Sequence, residues 1–285
     1  MSLVAVLGAG PIGAAIAHRL AERARVSEIR LIDENANVAA GKALDIRQSG
    51  PVDGFDTVVS GSGDVLAAVG ADVIVIADAV TAGEWQGEKG LGLIRQLVRA
   101  GAKGPFVFAG PSQIALMETV ARELHVPADR LVGTAASAIA ASVAALASIE
   151  TEHTGVDVVV AGRPPALVIG WSSATISGSL LSDRIPAHRL LAITNALPRL
   201  WPPGPQVIAA PTAGVVEALI AGSRRLHHAM TVLDGEFGVR GVAAMLPLEL
   251  GRGCVLARVV PSLSPRERTE FLSGLDGRMN PGRGA

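Results

Sequence analysis

The amino-acid sequence predicts an α/β fold, in which a doubly wound parallel sheet is followed by a mixed α+β domain. An apolar run of strand length, Leu3–Leu7, leads directly into a glycine-rich turn and then into an Ala-rich segment with helical spacing of its apolar residues. A second apolar run, residues 72–77, is typical of a parallel strand that is buried on both faces. Strand-like and helix-like segments alternate through residue 133, which predicts strands joined by helical crossovers.

The first predicted turn has the spacing Gly8-x-Gly10-x-x-Gly13. In a strand–turn–helix unit the first glycine permits the tight turn, the second lets a pyrophosphate approach the backbone, and the third lets helix and strand pack closely. The start of the helix adds unpaired N–H groups and the positive end of the helix dipole. We therefore expect Gly8, Gly10, Pro11, Ile12 and Gly13 to contact a dinucleotide; the alternative is that the glycines serve only the turn.

An acidic residue follows the second predicted strand, Glu28–Ile32, which ends at Asp33. About twenty residues separate Asp33 from the glycine turn, the interval at which an acid binds the ribose hydroxyls of a dinucleotide. Glu34 comes next, and no Arg lies beside it to bind a 2′-phosphate. The sequence therefore favours NAD over NADP.

Four more strands complete a predicted six-stranded sheet, and shorter elements follow in the second half of the chain. Residues 131–149 are uncharged and rich in Ala and Ser, which contribute little to membrane insertion, so a buried helix is predicted there after a short strand. Pro202-Pro203-Gly204-Pro205 interrupts the helical pattern. The remaining predicted strands are 57–60, 72–77, 105–109, 131–132, 156–160, 167–171 and 174–177, with a hairpin of 230–233 and 243–248; the predicted helices are 41–46, 91–100, 112–124, 186–200, 213–221 and 266–275.

Composition and charge argue against several functional classes. The formal net charge is −1, so neither a nucleic acid nor a membrane surface is expected as a partner. The single cysteine, Cys254, excludes an intramolecular disulfide and a cysteine metal cluster, and no pair of the six His residues has ligand spacing on one face, so no metal is expected. The chain enters its first strand without a signal peptide, which predicts a cytoplasmic protein.

Taken together, these motifs resemble the malate/lactate dehydrogenase family over nearly the whole chain. Residues 8–13 resemble its cofactor loop, and Gly41-Lys42-Ala43-Leu44-Asp45 resembles its Gly-Lys-Ala-Leu-Asp helix. Residues 71–76 resemble its fourth strand, and residues 234–239 with 247–253 resemble its late hairpin. The resemblance implies the family's fold, NAD as cofactor, and a homo-oligomer, either a dimer or a tetramer.

The resemblance also implies a domain division. We expect an NAD-binding Rossmann domain in residues 1–133 and a C-terminal domain, carrying substrate and oligomer contacts, in residues 134–277. Residues 278–285 are rich in Gly, Pro and Arg, and we expect them to be a disordered tail.

The residues that carry catalysis in this family are different here. The family's mobile loop grips the substrate carboxylate with arginines, but the matching residues 80–89 are shorter and contain no Arg. The family's Asn-Pro after strand five is Gly110-Pro111. Alignment places Ile139 and Ser142 at the family's Asp and substrate Arg positions, and Arg163 at its catalytic His position.

These replacements remove the expected chemistry as a set. Hydride transfer to a keto acid needs a group that exchanges a proton near neutral pH, as imidazole does and Arg does not. A serine cannot replace the bidentate guanidinium that clamps a carboxylate. Loss of one member of a buried charged network costs about 3–5 kcal/mol, whereas replacement of all members can be neutral. The pattern therefore indicates a site that has been retired or rebuilt.

Four residues near the cleft, two of them in the shortened loop, affect the interpretation of the site. Asp78 replaces a small residue after strand four, beside the expected cofactor path, where its carboxylate would repel the pyrophosphate. Glu84 and Trp85 are either a cap over the cleft or an exposed loop tip. Arg163 either holds a small carboxylate or phosphate ligand, or forms a salt bridge in its Pro-rich turn at a surface or interface; the second interpretation is favoured.

Three functional hypotheses follow. The first is a non-catalytic NAD-binding member of the family, the second a dehydrogenase with a rebuilt site and a different small substrate, and the third an oligomerising or interaction protein that no longer binds the cofactor. The first is favoured, because the glycine turn and Asp33 are intact whereas the groups that would transfer a proton or clamp a carboxylate are replaced.

Overall fold

The computed structural model describes residues 2–276, and the predicted α/β fold is confirmed. The predicted tail, residues 278–285, lies outside the described residues. In the first part of the chain the strands are β1 (Leu3–Leu7), β2 (Glu28–Ile32), β3 (Val58–Ser62), β4 (Val73–Ile76), β5 (Asp78–Ala79), β6 (Gly83–Glu84), β7 (Phe106–Phe108) and β8 (Leu131–Gly133); the helices are α1 (Pro11–Glu22), α2 (Ala36–Asp53), α3 (Gly87–Arg99) and α4 (Ile114–Glu123).

The second part adds longer strands and four helices. The strands are β9 (Val156–Arg163), β10 (Ala166–Ile176), β11 (Ser179–Leu180), β12 (Leu226–Asp234), β13 (Arg240–Gly251) and β14 (Cys254–Arg258). The helices are α5 (Ala135–Thr151), α6 (Ala187–Ala196), α7 (Pro205–Ala221) and α8 (Pro265–Asp276).

One sheet runs through both parts of the chain. Its order is β11-β10-β9-β13-β12-β8-β7-β4-β1-β2-β3, with β14 paired to β13, while β5 and β6 form a separate two-stranded hairpin. The strands from β3 to β8 in this order are parallel, and every pairing from β8–β12 onward is antiparallel. The strand order reverses direction at β1 and β4, where doubly wound sheets bind ligands.

Helices cover both faces of the sheet. Strand β4 is therefore apolar at every position and does not alternate between apolar and polar residues. Val73 and Val75 pack with residues of α1, α2 and α7 on one face. Ile74 and Ile76 pack with residues of α3, α4 and α5 on the other. A parallel strand enclosed in this way needs apolar side chains at every position.

Three helices begin earlier than their apolar patterns predict, and α3 begins at Gly87 rather than at residue 91. The Asn35 side chain accepts a hydrogen bond from the Val38 N–H at 3.3 Å and so caps α2 at Ala36, ahead of the predicted start at 41. Helix α7 begins at Pro205. Proline fits the first position of a helix, because an N–H group at that position would have no partner within the helix. The predicted start of this helix at residue 213 was therefore wrong.

A bidentate ion pair joins the two parts of the chain. Arg23, directly after α1, donates from Nε and Nη2 to the two carboxylate oxygens of Glu217 on α7, at 2.5 and 2.8 Å.

Within the described residues, no single helix is long and apolar enough to cross a membrane; the segment Ala187–Leu200 and α7 reach that length and hydropathy only as a pair bent by 98°.

Candidate functional site at the carboxyl edge of the parallel strands

The carboxyl-terminal ends of β1, β2 and β4 lie side by side, because the parallel register pairs Leu7 with both Ile32 and Ile76. The residues that follow these strands therefore meet at one edge of the sheet. They are the glycine turn after β1, Asp33 after β2, and Asp78 after β4.

Close contacts require glycine at all three positions of the turn. Gly8 has φ of +113°, and a Cβ atom there would lie 2.3 Å from the backbone oxygen of Asp78. A Cβ atom at Gly13 would lie 1.9 Å from the Gly8 carbonyl oxygen. At Gly10 a Cβ atom would lie 2.4 Å from Oδ2 of Asp78. The group that approaches Gly10 closely is thus a carboxylate of the same chain.

The Asp78 carboxylate binds the first amides of α1. Its Oδ1 accepts the Gly13 N–H at 2.9 Å and its Oδ2 accepts the Ile12 N–H at 3.2 Å, while its backbone carbonyl accepts the Gly10 N–H at 2.8 Å. The residue is only 6% exposed. An anion at the start of a helix is stabilised by unpaired N–H groups and by the helix dipole, so Asp78 serves as an internal partner for α1.

Asp33 is 1% exposed and holds three backbone segments together. Its Oδ2 accepts the N–H groups of Ala9 and Val80, at 2.8 and 3.0 Å, and its Oδ1 accepts the Asn35 N–H at 2.9 Å. Lys42 of α2 donates to the Ala9 carbonyl at 2.5 Å. Both carboxylate oxygens of Asp33 are therefore engaged within the chain.

The short loop after β4 folds down onto the sheet edge. Trp85 is 4% exposed, and its indole N–H donates to the Leu7 carbonyl at 3.1 Å. Lys89 lies over the Trp85 ring, 5.0 Å from the centroid, and pairs with Glu34 at 2.9 Å. The interpretation of Trp85 as an exposed loop tip is therefore wrong, because its ring is buried against the sheet edge.

Glu84 extends this cap to the loop after β7. Its Oε2 accepts the Ser112 N–H at 2.7 Å, and a Cβ atom at Gly110 would lie 2.2 Å from the same oxygen. Burial raises the pKa of the Glu84 carboxyl and the Asp78 charge adds to the rise, although hydrogen bonds from Ser112 oppose it. Asp78 and Glu84 are also directly opposite each other in the β5–β6 hairpin, so the site places two carboxylate residues side by side.

Gln113 is a site residue that the sequence reasoning missed. It is fully buried, donates from Nε2 to the Ala77 carbonyl at 2.7 Å, and accepts the Gly110 N–H at 2.9 Å. A cavity of only about 10 Å³ remains beside it, next to Met230. Gln113 stands three residues after Gly110, the spacing at which a Gln side chain reaches back to cap the start of a helix. This spacing could have identified it from the sequence.

Comparisons with known proteins identify the family. Residues 2–96 match the family model described as lactate/malate dehydrogenase, NAD binding domain. A malate dehydrogenase of Thermomicrobium roseum is 30% identical over 287 residues, which cover 93% of this chain and 92% of that protein. The chain belongs to the malate/lactate dehydrogenase family. A malate dehydrogenase of Staphylococcus carnosus is 29% identical, with 93% of this chain and 92% of that protein covered.

Solved structures of dehydrogenases have the same fold. The malate dehydrogenase of Salinibacter ruber matches with a TM-score of 0.85 and 22% identity, over 95% of this chain and 93% of that one. The minor L-lactate dehydrogenase of Enterococcus mundtii matches with a TM-score of 0.83 and 20% identity, over 100% and 99% of the two chains. The comparisons support NAD as the cofactor of this dehydrogenase-family domain.

The residues at the edge do not fit a bound pyrophosphate in the conformation described. A dinucleotide in this fold places its pyrophosphate against the N–H groups at the start of the first helix. Here the N–H groups of Ile12 and Gly13 already donate to Asp78. The carboxylate of Asp33, which would bind the ribose hydroxyls, accepts three backbone N–H groups instead.

Arg163, aligned with the catalytic His of the dehydrogenase family, points into the protein. Its Nη1 forms an ion pair with Oε1 of Glu118 on α4 and donates to the Ala243 carbonyl at 3.1 Å. Glu118 is 3% exposed and also accepts the Ala243 N–H at 2.8 Å. Arg163 thus forms a salt bridge, as the favoured interpretation expected, but it lies in the interior of the chain and not at its surface.

The other two aligned positions have local roles within α5. Ile139 is buried in the core beside the sheet. Ser142 is partly buried, and its hydroxyl donates to the Ala138 carbonyl one turn earlier at 2.9 Å. The glycine turn, Asp33 and Asp78 are therefore joined by direct hydrogen bonds, whereas Ile139, Ser142 and Arg163 make their polar and apolar contacts elsewhere.

Glu118 is the second site residue that the sequence reasoning missed. It stands between Met117 and Val120 in a helix whose other inward residues are apolar. A single acidic residue at a buried helical position predicts a buried cation partner, since an isolated charge would be costly to bury.

Among residues 2–276, no group of three or more His, Cys, Asp or Glu residues is placed to hold a metal ion.

Proposed function

We propose that this protein is an NAD(H)-binding member of the malate/lactate dehydrogenase family that does not catalyse malate or lactate dehydrogenation. The observation that carries the proposal is the buried ion pair of Arg163 with Glu118. A guanidinium stays protonated throughout the working pH range, so it cannot give a proton to a keto group and take it back. Its Nη1 is also bound to Glu118 on α4 and to the Ala243 carbonyl on β13, which gives the side chain a structural role.

The surroundings of the missing imidazole support the same proposal. A keto acid would need a bidentate guanidinium to orient its carboxylate. Ile139 lies in the core, Ser142 bonds to its own helix, and the loop of residues 80–89 contains no Arg. Instead, Trp85 from this loop is buried against β1. The loop acts as a fixed part of the fold rather than as a lid that closes on a substrate.

Turnover measurements on the full chain test this proposal. Purified protein is supplied with NADH and oxaloacetate or pyruvate, and in the reverse direction with NAD and malate or lactate, beside an active malate dehydrogenase as the positive control. We expect no oxidation of NADH above the uncatalysed rate. A kcat of about 1 s⁻¹ or more, within the ordinary enzymatic range, would contradict the proposal.

A second candidate function is a protein that no longer binds the cofactor. The observation in its favour is the Asp78 carboxylate on the α1 amides. Equilibrium binding of NADH to the purified protein distinguishes it from the first candidate. A dehydrogenase with a rebuilt site would instead be revealed by turnover in a wider screen of keto and hydroxy acids.

We further infer the organisation of the protein from family membership. Residues 1–133 form the NAD-binding domain, residues 134–277 form the second domain, and the chain assembles as a cytoplasmic homo-oligomer, either a dimer or a tetramer. Light scattering after size-exclusion chromatography tests the assembly. A single monomeric species at micromolar concentration would contradict it.

A further inference from the structure

The amides at the start of α1 have a resident anion in this chain. Asp78 binds the Ile12 and Gly13 N–H groups through its two carboxylate oxygens, and its backbone carbonyl takes the Gly10 N–H. These are the groups that a pyrophosphate uses in a domain of this kind. The carboxylate therefore reproduces, within the chain, the contacts of the cofactor's phosphates.

We propose that Asp78 is a built-in competitor for the dinucleotide, so that NAD(H) binds only when the Asp78 carboxylate leaves the amides of Ile12 and Gly13. The inference rests on the proposed dinucleotide binding of this domain, but it does not depend on the absence of turnover. If the protein spends most of its time with Asp78 in place, the apparent affinity for NADH is lowered by the small fraction of molecules that are open.

Space and charge both prevent simultaneous binding. The position of a Cβ atom on Gly10 lies 2.4 Å from Oδ2 of Asp78, so the carboxylate fills the surface that the glycine would otherwise leave open to a phosphate. A carboxylate and a pyrophosphate at the same amides would also repel each other as like charges in contact. Each amide has one hydrogen, which makes only one strong linear hydrogen bond, so the two anions compete for it.

The loop that follows Asp78 holds the carboxylate in place. Val80, two residues further on, donates its N–H to Oδ2 of Asp33, and Trp85 anchors the far end of the loop through its bond to Leu7. Asp78 also pairs with Glu84 across the β5–β6 hairpin. Release of Asp78 therefore requires a rearrangement of a short hairpin that is fixed at three points.

The acidic groups around the turn oppose a second anion at this edge of the sheet. Asp33, Asp78 and Glu84 all lie at this edge, and the nearby cations Lys42 and Lys89 are bound to the Ala9 carbonyl and to Glu34. The Glu84 carboxyl is already affected by the Asp78 charge. A pyrophosphate that takes the place of the Asp78 carboxylate meets Asp33 and Glu84 as like charges, so these groups add to the cost of binding.

The test compares NADH binding to the full-length protein and to its Asp78→Ala variant by titration calorimetry. Alanine restores a small side chain at this position and frees the Ile12 and Gly13 amides. We expect the Kd for NADH to fall at least tenfold, which corresponds to about 1.4 kcal/mol. Inorganic pyrophosphate should raise the melting temperature of the variant and compete with NADH for it, with a much smaller effect on the natural protein.

Asp72→Ala is the matched control. Asp72 lies just before the opposite end of β4, where its carboxylate accepts the Leu3 N–H at 2.8 Å, so this variant also loses one carboxylate bound to a backbone amide near β1. We expect its Kd for NADH to stay within twofold of the natural protein. A similar gain in both variants would overturn the proposal, because it would assign the effect to net charge.

Asp78→Asn covers the case in which the alanine variant does not fold. Asn keeps the shape of the side chain but removes its charge, and one of its two terminal atoms cannot accept an N–H. We expect it to strengthen NADH binding in the same direction. Equal Kd values for the natural protein and the folded Asp78 variants would overturn the proposal, whether or not the protein shows turnover; turnover itself would overturn only the proposed function.

Discussion

The guanidinium of Arg163 on β9 and the carboxylate of Glu118 on α4 form an ion pair in the interior of the protein, and both groups also bind the backbone of Ala243 on β13. The pair thus connects a helix of the first part of the chain to two strands of the second part. It also gives Arg163, which we aligned from the sequence with the family's catalytic His, a structural partner.

Removal of the cation alone should destabilise the protein strongly. Arg163→Met leaves the Glu118 carboxylate buried without its guanidinium, which costs about 3–5 kcal/mol of unfolding free energy. The double variant Arg163→Met with Glu118→Gln should recover most of this loss, since Gln still accepts the Ala243 N–H. Urea unfolding of the natural protein, both single variants and the double variant gives the coupling energy. A loss below about 1 kcal/mol in Arg163→Met would show that the pair contributes little.

The loop after β4 should be as important for stability as a core strand. Trp85→Ala is expected to cost about 3–5 kcal/mol, because it removes a large buried ring from the sheet edge. Trp85→Phe keeps most of the packing and loses only the bond to Leu7, whose carbonyl still accepts the Ala77 N–H, so about 0.5–1.5 kcal/mol is expected. Val52→Ala is the control, since Val52 is 88% exposed and should change stability by less than about 0.5 kcal/mol. Equal losses in Trp85→Ala and the control would mean that the loop is not a fixed cap.

Glu84→Gln should stabilise the protein at neutral pH. Burial and the Asp78 charge raise the pKa of the Glu84 carboxyl above its ordinary value of 4.5, so ionisation of this group opposes folding at pH 7.5. The stabilisation should shrink as the pH falls and disappear below 4.5, where the natural side chain is protonated in the folded and unfolded states alike. Thermal unfolding at several pH values measures this trend. In an Asp78→Asn background the gain should be smaller; an unchanged gain would exclude the influence of Asp78.

Acid should destabilise the protein through two neighbouring histidines of β12. Burial lowers the pKa of His227 and of His228; the charges of His228 and Arg225 lower that of His227 further, while Asp157 opposes the change at His228. A histidine with a lowered pKa takes up a proton on unfolding, so its contribution to stability is lost as the pH falls through about 6.5 and below. The slope is at most about 1.4 kcal/mol per pH unit for each histidine.

The variant His227→Gln with His228→Gln should flatten this pH dependence between pH 7.5 and 5. The exposed His153, changed to Gln, is the control and should leave the slope as it is. Chemical denaturation at fixed pH values provides the measurement. An identical slope in the natural protein and in the double variant would show that other groups cause the acid sensitivity.

Much of the fold could be predicted because local patterns and burial agree. The glycine turn, the buried run of β4 and the alternation of strands and helices placed the parallel part of the sheet, and family resemblance extended it to the late hairpin. The start of α7 was predicted too late, because a proline cluster predicts an interruption and does not reveal that Pro205 is the first residue of the next helix.

The sequence by itself determined the family and the strand–turn–helix unit of the glycine motif, because these depend on residue type and short-range spacing. Only the tertiary structure decided which groups the remaining charges bind. Asp78 reaches the amides of α1, and Arg163 reaches Glu118, across 65 and 45 residues of chain respectively. Hydrogen bonds and ion pairs form between atoms a few ångströms apart in space, and the separation of two residues along the chain does not predict whether they meet.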